Sequence, residues 1–331
     1  MKRFILKLLL FSIPFIALLL NYLLITITRE CRGDLAKLEL MYIEKGYYDK
    51  QTSSYDTNSA VDVEIGELPD SAKVLVFGDS FANRKPCRYQ QTIGEKNSDT
   101  VINVRYNLEF SPEDAALTFL QYSPQEKMPK AIVVESVERY CINRLCGMRT
   151  DSPIPFDKMT QGKKRYGDRK HKNIAEEAAK YYRKKLGIGE SQVITTPLNQ
   201  NLFSAKGYEN VLISFYEDTN TVSDEKINLA INKLDTLHRL ADSRNVKLIY
   251  FIPPNKSTVY HPYLTEKRNF TILVDNDSPF DTINYVYSPI DVLRTRVESG
   301  TMDVYYLDDT HWTPVTSHIA GHKLRELLFS N

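Results

Sequence analysis

From Leu8 to Ile25 the chain reads LLLFSIPFIALLLNYLLI without a charge, preceded by Lys2, Arg3 and Lys7. With Thr26 and Ile27 the run reaches about the 20 residues that a bilayer-spanning helix needs. A cleaved leader would have a shorter apolar core and a small-residue site after it; here leucines follow Ala17, and Arg29-Glu-Cys-Arg32 is not such a site. An uncleaved anchor is therefore expected, its basic N-terminal tip in the cytoplasm and the rest outside the inner membrane. After a juxtamembrane stretch over residues 29–70, whose Leu35, Leu38, Leu40 and Met41 have helical spacing, the texture changes. Short apolar runs at 73–77, 100–104, 130–134, 211–215, 246–252 and 304–307 read as strands. Between them, 112–120, 223–244 and 317–328 read as helices, the first capped by Ser111 with Pro112 at its first position. In 223–244, Ile227, Ala230, Ile231, Leu234, Leu237 and Ala241 form one apolar stripe. Strands alternating with helices predict an α/β domain with a mostly parallel sheet covered on both faces.

Three units follow: 1–28 as cytoplasmic tip and transmembrane anchor, 29–70 as a juxtamembrane linker or helix, and 71–331 as the α/β domain. Residues 140–210 interrupt the alternation as an insertion and candidate lid. Residues 163–185 carry ten basic residues against three acids, although the whole chain has a net charge of only +1. That cluster suits an anionic glycan, a headgroup or a partner, and equally a solvated helical insertion. A mean hydropathy of −0.38 keeps most of the chain in water. The near-zero net charge gives no field for nucleic acid, so no nucleic-acid partner is expected. Four cysteines are not a disulfide scaffold; Cys141 with Cys146, or Cys31 with Cys87, can pair, and either pair can equally be free thiols. His318 and His322 have metal-ligand spacing but no accompanying acid or cysteine motif, and no nucleotide-binding glycine motif occurs. Neither a metal nor a cofactor is expected.

Three segments sit at expected strand ends, where open parallel sheets gather their reactive groups. Gly78-Asp79-Ser80 follows VLVF, which places Ser80 at a helix start whose free N–H groups suit an oxyanion. Asp308-Asp309-Thr310-His311 follows VYYL, and an acid near a histidine on one loop fixes the imidazole tautomer. Pro254-Asn255-Lys256 follows the 246–252 run. There Lys256 is a candidate for binding an acidic sugar, or simply a surface lysine after a stopped strand.

Gly78-Asp79-Ser80 early and Asp308–His311 late, in that order, resemble the SGNH (GDSL-like) hydrolase and acyltransferase superfamily. His311-Trp312-Thr313, Pro254-Asn255-Lys256 with Tyr260, and Glu135-Ser-Val-Glu-Arg139 resemble its membrane-anchored branch of alginate O-acetylation and DltD-like proteins. The resemblance implies a three-layer α/β/α, flavodoxin-like fold. It also implies an O-acyltransferase, acetyl by family, or an esterase acting on a polysaccharide or glycan with an MBOAT-type acyl transporter as partner. Carried over, Ser80 is the nucleophile, His311 the base and Asp308 the orienting acid, with Asp309 as rival. Lys256, Tyr260 and Trp312 become substrate-binding candidates. Two family blocks depart: Arg105 stands where a glycine is usual, and Glu135-Ser-Val-Glu138 replaces G-x-N-D. The oxyanion would then rest on the Ser80 N–H with Asn103, Asn107 or Arg139 as second donor. A non-catalytic module binding glycan or the transporter is the alternative.

Overall fold

The computed structural model describes residues 2–39, 41–52, 61–83, 88–94, 100–160, 174–188, 191–219, 221–266, 268–275 and 278–329. Six strands form the central sheet: β1 (Val61–Glu64), β2 (Ala72–Phe77), β3 (Thr100–Arg105), β4 (Ala131–Glu135), β5 (Lys247–Phe251) and β6 (Val286–Tyr287). Their order is β6-β5-β4-β2-β3-β1, and every neighbouring pair is parallel. Continuous apolar runs suit such a sheet because both faces are covered. Val74, Val76, Val133 and Phe251 pack with helices Tyr89–Gly94, Ile290–Glu298 and Pro314–Phe329. Leu75, Phe77, Val134 and Tyr250 face the other way, onto Pro112–Tyr122, Glu138–Gly147 and Asp224–Ser243.

The expected caps are present: the Ser111 side chain accepts from Asp114 N, and that of Ser223 from Lys226 N. Other expectations are redrawn. Val211–Phe215 is a strand, but it pairs antiparallel with Val193–Pro197 outside the central sheet. Residues 304–307 form no strand. Apart from an isolated Tyr305–Trp312 bridge, their backbone is held by side chains: Tyr260 Oη accepts from Tyr305 N, and Tyr47 Oη from Leu307 N. The sixth strand is instead the two-residue β6. Within 140–210, helix Glu138–Gly147 buries Cys141, Ile142 and Leu145 against helix Asp224–Ser243, so it belongs to the core rather than to a lid. Helix Ile174–Lys185 packs on the N-terminal helix. Lys163, Lys164, Arg165, Arg169, Lys170 and Lys172 of the basic cluster lie outside the described residues. Cys141 and Cys146 are separate thiols, donating to Glu138 O (3.2 Å) and Lys226 O (3.3 Å). The Cys31–Cys87 pairing cannot be placed, since Cys87 is outside the described residues.

Among the described residues one helix, Lys2–Thr28, is long and apolar enough over Arg3–Thr28 to cross a bilayer, its most apolar 18-residue stretch having a mean hydropathy of 2.5. The segment after it carries the helices Asp34–Glu39 and Tyr47–Thr52. Residues 33–51 lie against the 303–310 loop through a set of buried hydrogen bonds described next.

Candidate active site

The chain runs from β2 out to β3 and then returns to place β4 on the other side of β2. Connections that diverge on either side of one strand leave a crevice at its carboxyl end. Gly78-Asp79-Ser80 occupies that end of β2, and Ser136–Arg139 that of β4. Gly78 is required by space: a methyl there would lie 2.4 Å from Ala82 Cβ and 2.6 Å from Glu135 Oε2. Asp79 braces the turn. Its Oδ1 accepts from Phe81 N (3.1 Å), and its Oδ2 takes the Arg144 guanidinium at 2.6 Å. Burial opposes ionisation of Asp79, but Arg144 and the hydrogen bonds overcome it and hold the carboxyl well below the usual range. Beside it, Glu135 is fully buried; burial first and the Asp79 charge second push its carboxyl upward. Ser80 is exposed at the start of the short helix Ser80–Asn83.

The 303–312 loop lies across these strand ends. Asp303, at φ 55°, accepts from Tyr47 Oη (2.9 Å), Gln51 Nε2 (2.7 Å) and Ser204 N (3.0 Å). Lys256 is buried, and its ammonium donates to the carbonyls of Tyr306 (3.2 Å), Leu307 (2.7 Å) and Asp309 (3.1 Å). Burial pulls its pKa down to about 8. Lys256 therefore clamps the loop and does not reach toward a substrate. Tyr260 is also buried, accepting from Tyr305 N and packing on Phe203 at 5.1 Å. Trp312 is buried edge-on against Phe81 at 4.9 Å. None of these three sequence candidates faces solvent, because the loop folds inward over β5.

His311 and Asp309 meet. His311 Nδ1 lies 2.6 Å from Asp309 Oδ1, which also accepts from the His311 backbone N–H at 3.0 Å. An N–H donated from Nδ1 to a carboxylate sets the tautomer in which Nε2 is the base. The preference for Asp308 over Asp309 is thus reversed. Asp308 is turned away, accepting from Tyr48 Oη (2.6 Å) and Gly33 N (3.2 Å), and burial raises its pKa to about 6. The imidazole packs on the Phe81 ring at 4.7 Å, one residue from Ser80. Among the described residues no hydrogen bond joins Ser80 to His311.

The oxyanion candidates are engaged elsewhere. Asn103 Nδ2 donates to Asp62 (2.8 Å) and Asn83 (2.9 Å). Asn107 Nδ2 donates to Lys158 O, and its Oδ1 accepts from Glu109 N. Arg139 donates to Asn255 Oδ1 at 3.0 Å. Arg105, where the resemblance leads one to expect a glycine, pairs with Asp62 at 2.8 Å.

A third acid arrives from the N-terminal side. Asp34 N donates to Asp309 Oδ2 (3.2 Å), while Asp34 accepts from Thr310 N (2.7 Å) and from the Thr310 hydroxyl. Its Oδ2 lies 3.6 Å from His311 Nδ1. Ligand atoms of Asp34, Asp309 and His311 lie within 4.8 Å of one another, so among the described residues these three form a group that could hold a metal ion. Each carboxylate is already committed: Asp34 to Thr310, and Asp309 to His311. This reads as an imidazole-orienting set. His318 and His322 instead approach each other at 2.9 Å, with Thr92 at 3.1 Å from His318 Nδ1. Gly33, Asp34, Tyr47, Tyr48 and Arg144 were not singled out in the sequence; Asp34 at a helix start and Arg144 amid apolar helix positions were the available signals.

No family model, no curated protein and no solved structure matches the chain.

Proposed function

We propose that the chain is a membrane-anchored, extracytoplasmic SGNH-like O-acyltransferase or acyl esterase acting on a cell-surface polysaccharide. One observation carries the reading: the Asp309–His311 pair, closed at 2.6 Å, packs on Phe81 of the Gly78-Asp79-Ser80 turn at the switch point of a parallel sheet. The parallel strand order, with β3 and β4 on opposite sides of β2, also supports the SGNH-type, three-layer reading. So does the order of the motifs in the chain, with the serine turn first and the histidine loop last.

In the proposed reaction, Ser80 Oγ attacks the carbonyl carbon of an acyl ester as His311 Nε2 takes its proton. Asp309 holds Nδ1–H and stabilises the imidazolium. The Ser80 backbone N–H receives the oxyanion, with Arg139 as the second donor if it releases Asn255. Collapse breaks the ester C–O bond, and His311 returns the proton to the leaving oxygen. A sugar hydroxyl or water then attacks the acyl-serine, giving transfer or hydrolysis. The acyl group is acetyl by resemblance, supplied through an MBOAT-type transporter. The helix Lys2–Thr28 holds the domain to the outer face of the inner membrane, with Lys2, Arg3 and Lys7 on the cytoplasmic side.

The second reading, a non-catalytic module binding glycan or transporter, draws on Asn103 and Asn107 being tied up. The two readings part on ester turnover. With p-nitrophenyl acetate, the full chain should release nitrophenol faster than Ser80→Ala and His311→Ala by on the order of a thousandfold. Equal rates in all three would favour the binding module.

A further inference from the structure

At the end of the Lys2–Thr28 helix, where Thr26 meets the next segment, lies a cavity of about 540 Å³. Five basic side chains line it: Arg29, Arg32, Lys37, Lys45 and Lys180. Two acids, Glu30 and Glu177, do not balance them. Glu30 is taken by Arg32 at 2.8 Å, and Lys180 pairs with Glu176 outside the lining at 2.9 Å. Among the described residues, Arg29, Lys37 and Lys45 have no carboxylate partner, and all three are exposed. Cations gathered around a concave space in excess of its carboxylates call for an anion.

The placement says which anion. The apolar run Leu8–Ile27 spans about 30 Å at 1.5 Å per residue, the thickness of a hydrocarbon core, so Thr26 and Arg29 fall at the headgroup level. Helix Ile174–Lys185 docks on this helix: Tyr181 packs on Tyr22 at 5.7 Å, and Tyr182 Oη donates to Leu18 O (2.9 Å) and lies 3.0 Å from Asn21 Oδ1. Its segment exposes Ile174, Leu186 and Ile188 beside Lys180, Arg183 and Lys185. Apolar residues and tyrosines next to lysines and arginines are the composition of an interfacial helix. The cavity is thus lined by cations, and Lys180, which lines it, belongs to this amphipathic segment.

We infer that this cavity binds the phosphate headgroup of an anionic phospholipid, with its acyl chains lying along the Lys2–Thr28 helix. This rests on the reading of that helix as a bilayer anchor. The same segment runs on into Gly33 and Asp34, which hold the 308–310 loop, so an occupied headgroup site would fix the domain's orientation over the membrane.

The test uses the full chain. Flotation with vesicles of neutral phosphatidylcholine alone checks the anchor, and failure to float overturns the anchor reading and this inference together. Native mass spectrometry of the detergent-solubilised chain then measures binding of phosphatidylglycerol, phosphatidylcholine and inorganic phosphate separately. Phosphatidylglycerol should bind at least tenfold more tightly than phosphatidylcholine. Each headgroup-level cation contributes about fivefold, so Arg29→Gln, Lys37→Gln and Lys45→Gln combined should remove the preference. The single variant Lys37→Glu, at an exposed position, should weaken it by more than fivefold with an unchanged melting curve. A floating protein that binds both lipids equally overturns the headgroup inference alone. So does a triple variant that keeps the preference. Inorganic phosphate binding with the same dependence on the three cations, and displacing phosphatidylglycerol at millimolar concentration, would assign the site to free phosphate and overturn the lipid source.

Discussion

Replacing Gly33 by alanine tests whether the membrane-proximal segment is welded to the histidine loop. A methyl on Gly33 would sit 1.8 Å from the Asp308 carbonyl oxygen, 2.4 Å from its carbonyl carbon and 2.7 Å from its Cγ. These are mostly backbone atoms, so the methyl cannot be accommodated by turning one side chain. Either residues 33–36 or the 308–311 loop must move. Movement breaks Gly33 N to Asp308 Oδ2 (3.2 Å), Ala36 N to Asp308 O (3.0 Å) and the Asp34–Thr310 bonds. Overpacking costs about 1–3 kcal/mol. Losing a hydrogen bond to a buried carboxylate adds about 1.5–3 kcal/mol. A total loss of about 3–5 kcal/mol, at a urea slope of about 3 kcal/mol per molar, lowers the midpoint by about 1–2 M. Trp312 is the only tryptophan and adjoins His311, so its fluorescence follows both unfolding and any native shift of the loop. Gly147→Ala is the control, because nothing lies within 4 Å of its methyl and its backbone needs no left-handed conformation. A Gly33→Ala protein with the native midpoint and the native Trp312 spectrum would refute the coupling.

Asp309→Asn should reduce nitrophenyl acetate turnover by at least about a hundredfold, up to the loss seen in His311→Ala, through the wrong imidazole tautomer, whereas Asp308→Asn should keep turnover within about tenfold. Asp308 also predicts a pH effect. Its folded pKa of about 6 lies above the unfolded value of about 3.9, so its contribution is full below about pH 4 and is lost as pH rises through 6, up to about 3 kcal/mol. Asp308→Asn, with Tyr48 turning to accept from the amide, should flatten that decline in urea midpoints measured from pH 4 to 7. Arg144→Met leaves the Asp79 charge buried and should cost about 3–5 kcal/mol, most of it restored by adding Asp79→Asn; a strictly additive double-mutant cycle would count against the pair. Peptide mapping after alkylation should find Cys146 labelled in the native protein, and Cys141, fully buried with its thiol pushed upward by burial, labelled only after unfolding.

The inner sheet was legible because continuous apolar runs such as VLVF and AIVV have no reading as exposed elements, and Ser111 and Ser223 carry local cap chemistry. The 304–307 run misled for a physical reason: its apolar side chains are buried, but its backbone is satisfied by Tyr47, Tyr260 and Lys256, which are far away in sequence. Strand β6 is two residues long and shows no period. Strand β1 alternates as Val-Asp-Val-Glu, a strand pattern obscured by the polar stretch before it. In the candidate site, Ser80 stands directly after strand β2 as expected, whereas His311 follows a run that the structure does not make a strand. The choice between Asp308 and Asp309 was not legible, since either spacing allows an acid to reach the ring. Tertiary contacts decide it: Tyr48 and Gly33 claim Asp308 and leave Asp309 facing the imidazole. Lys256 looked like a ligand-binding cation because sequence does not reveal three backbone carbonyls converging on one ammonium.

The central claim is that His311 activates Ser80. A serine-directed fluorophosphonate reacts covalently only with an activated hydroxyl, so its site of attachment reads the claim directly. The full chain should carry one adduct, mapped by peptide mass spectrometry to Ser80, and Ser80→Ala, His311→Ala and Asp309→Asn should each lose it or form it at least a hundredfold more slowly. An unlabelled native chain, or an adduct on Ser80 that persists at the same rate in His311→Ala, would contradict it.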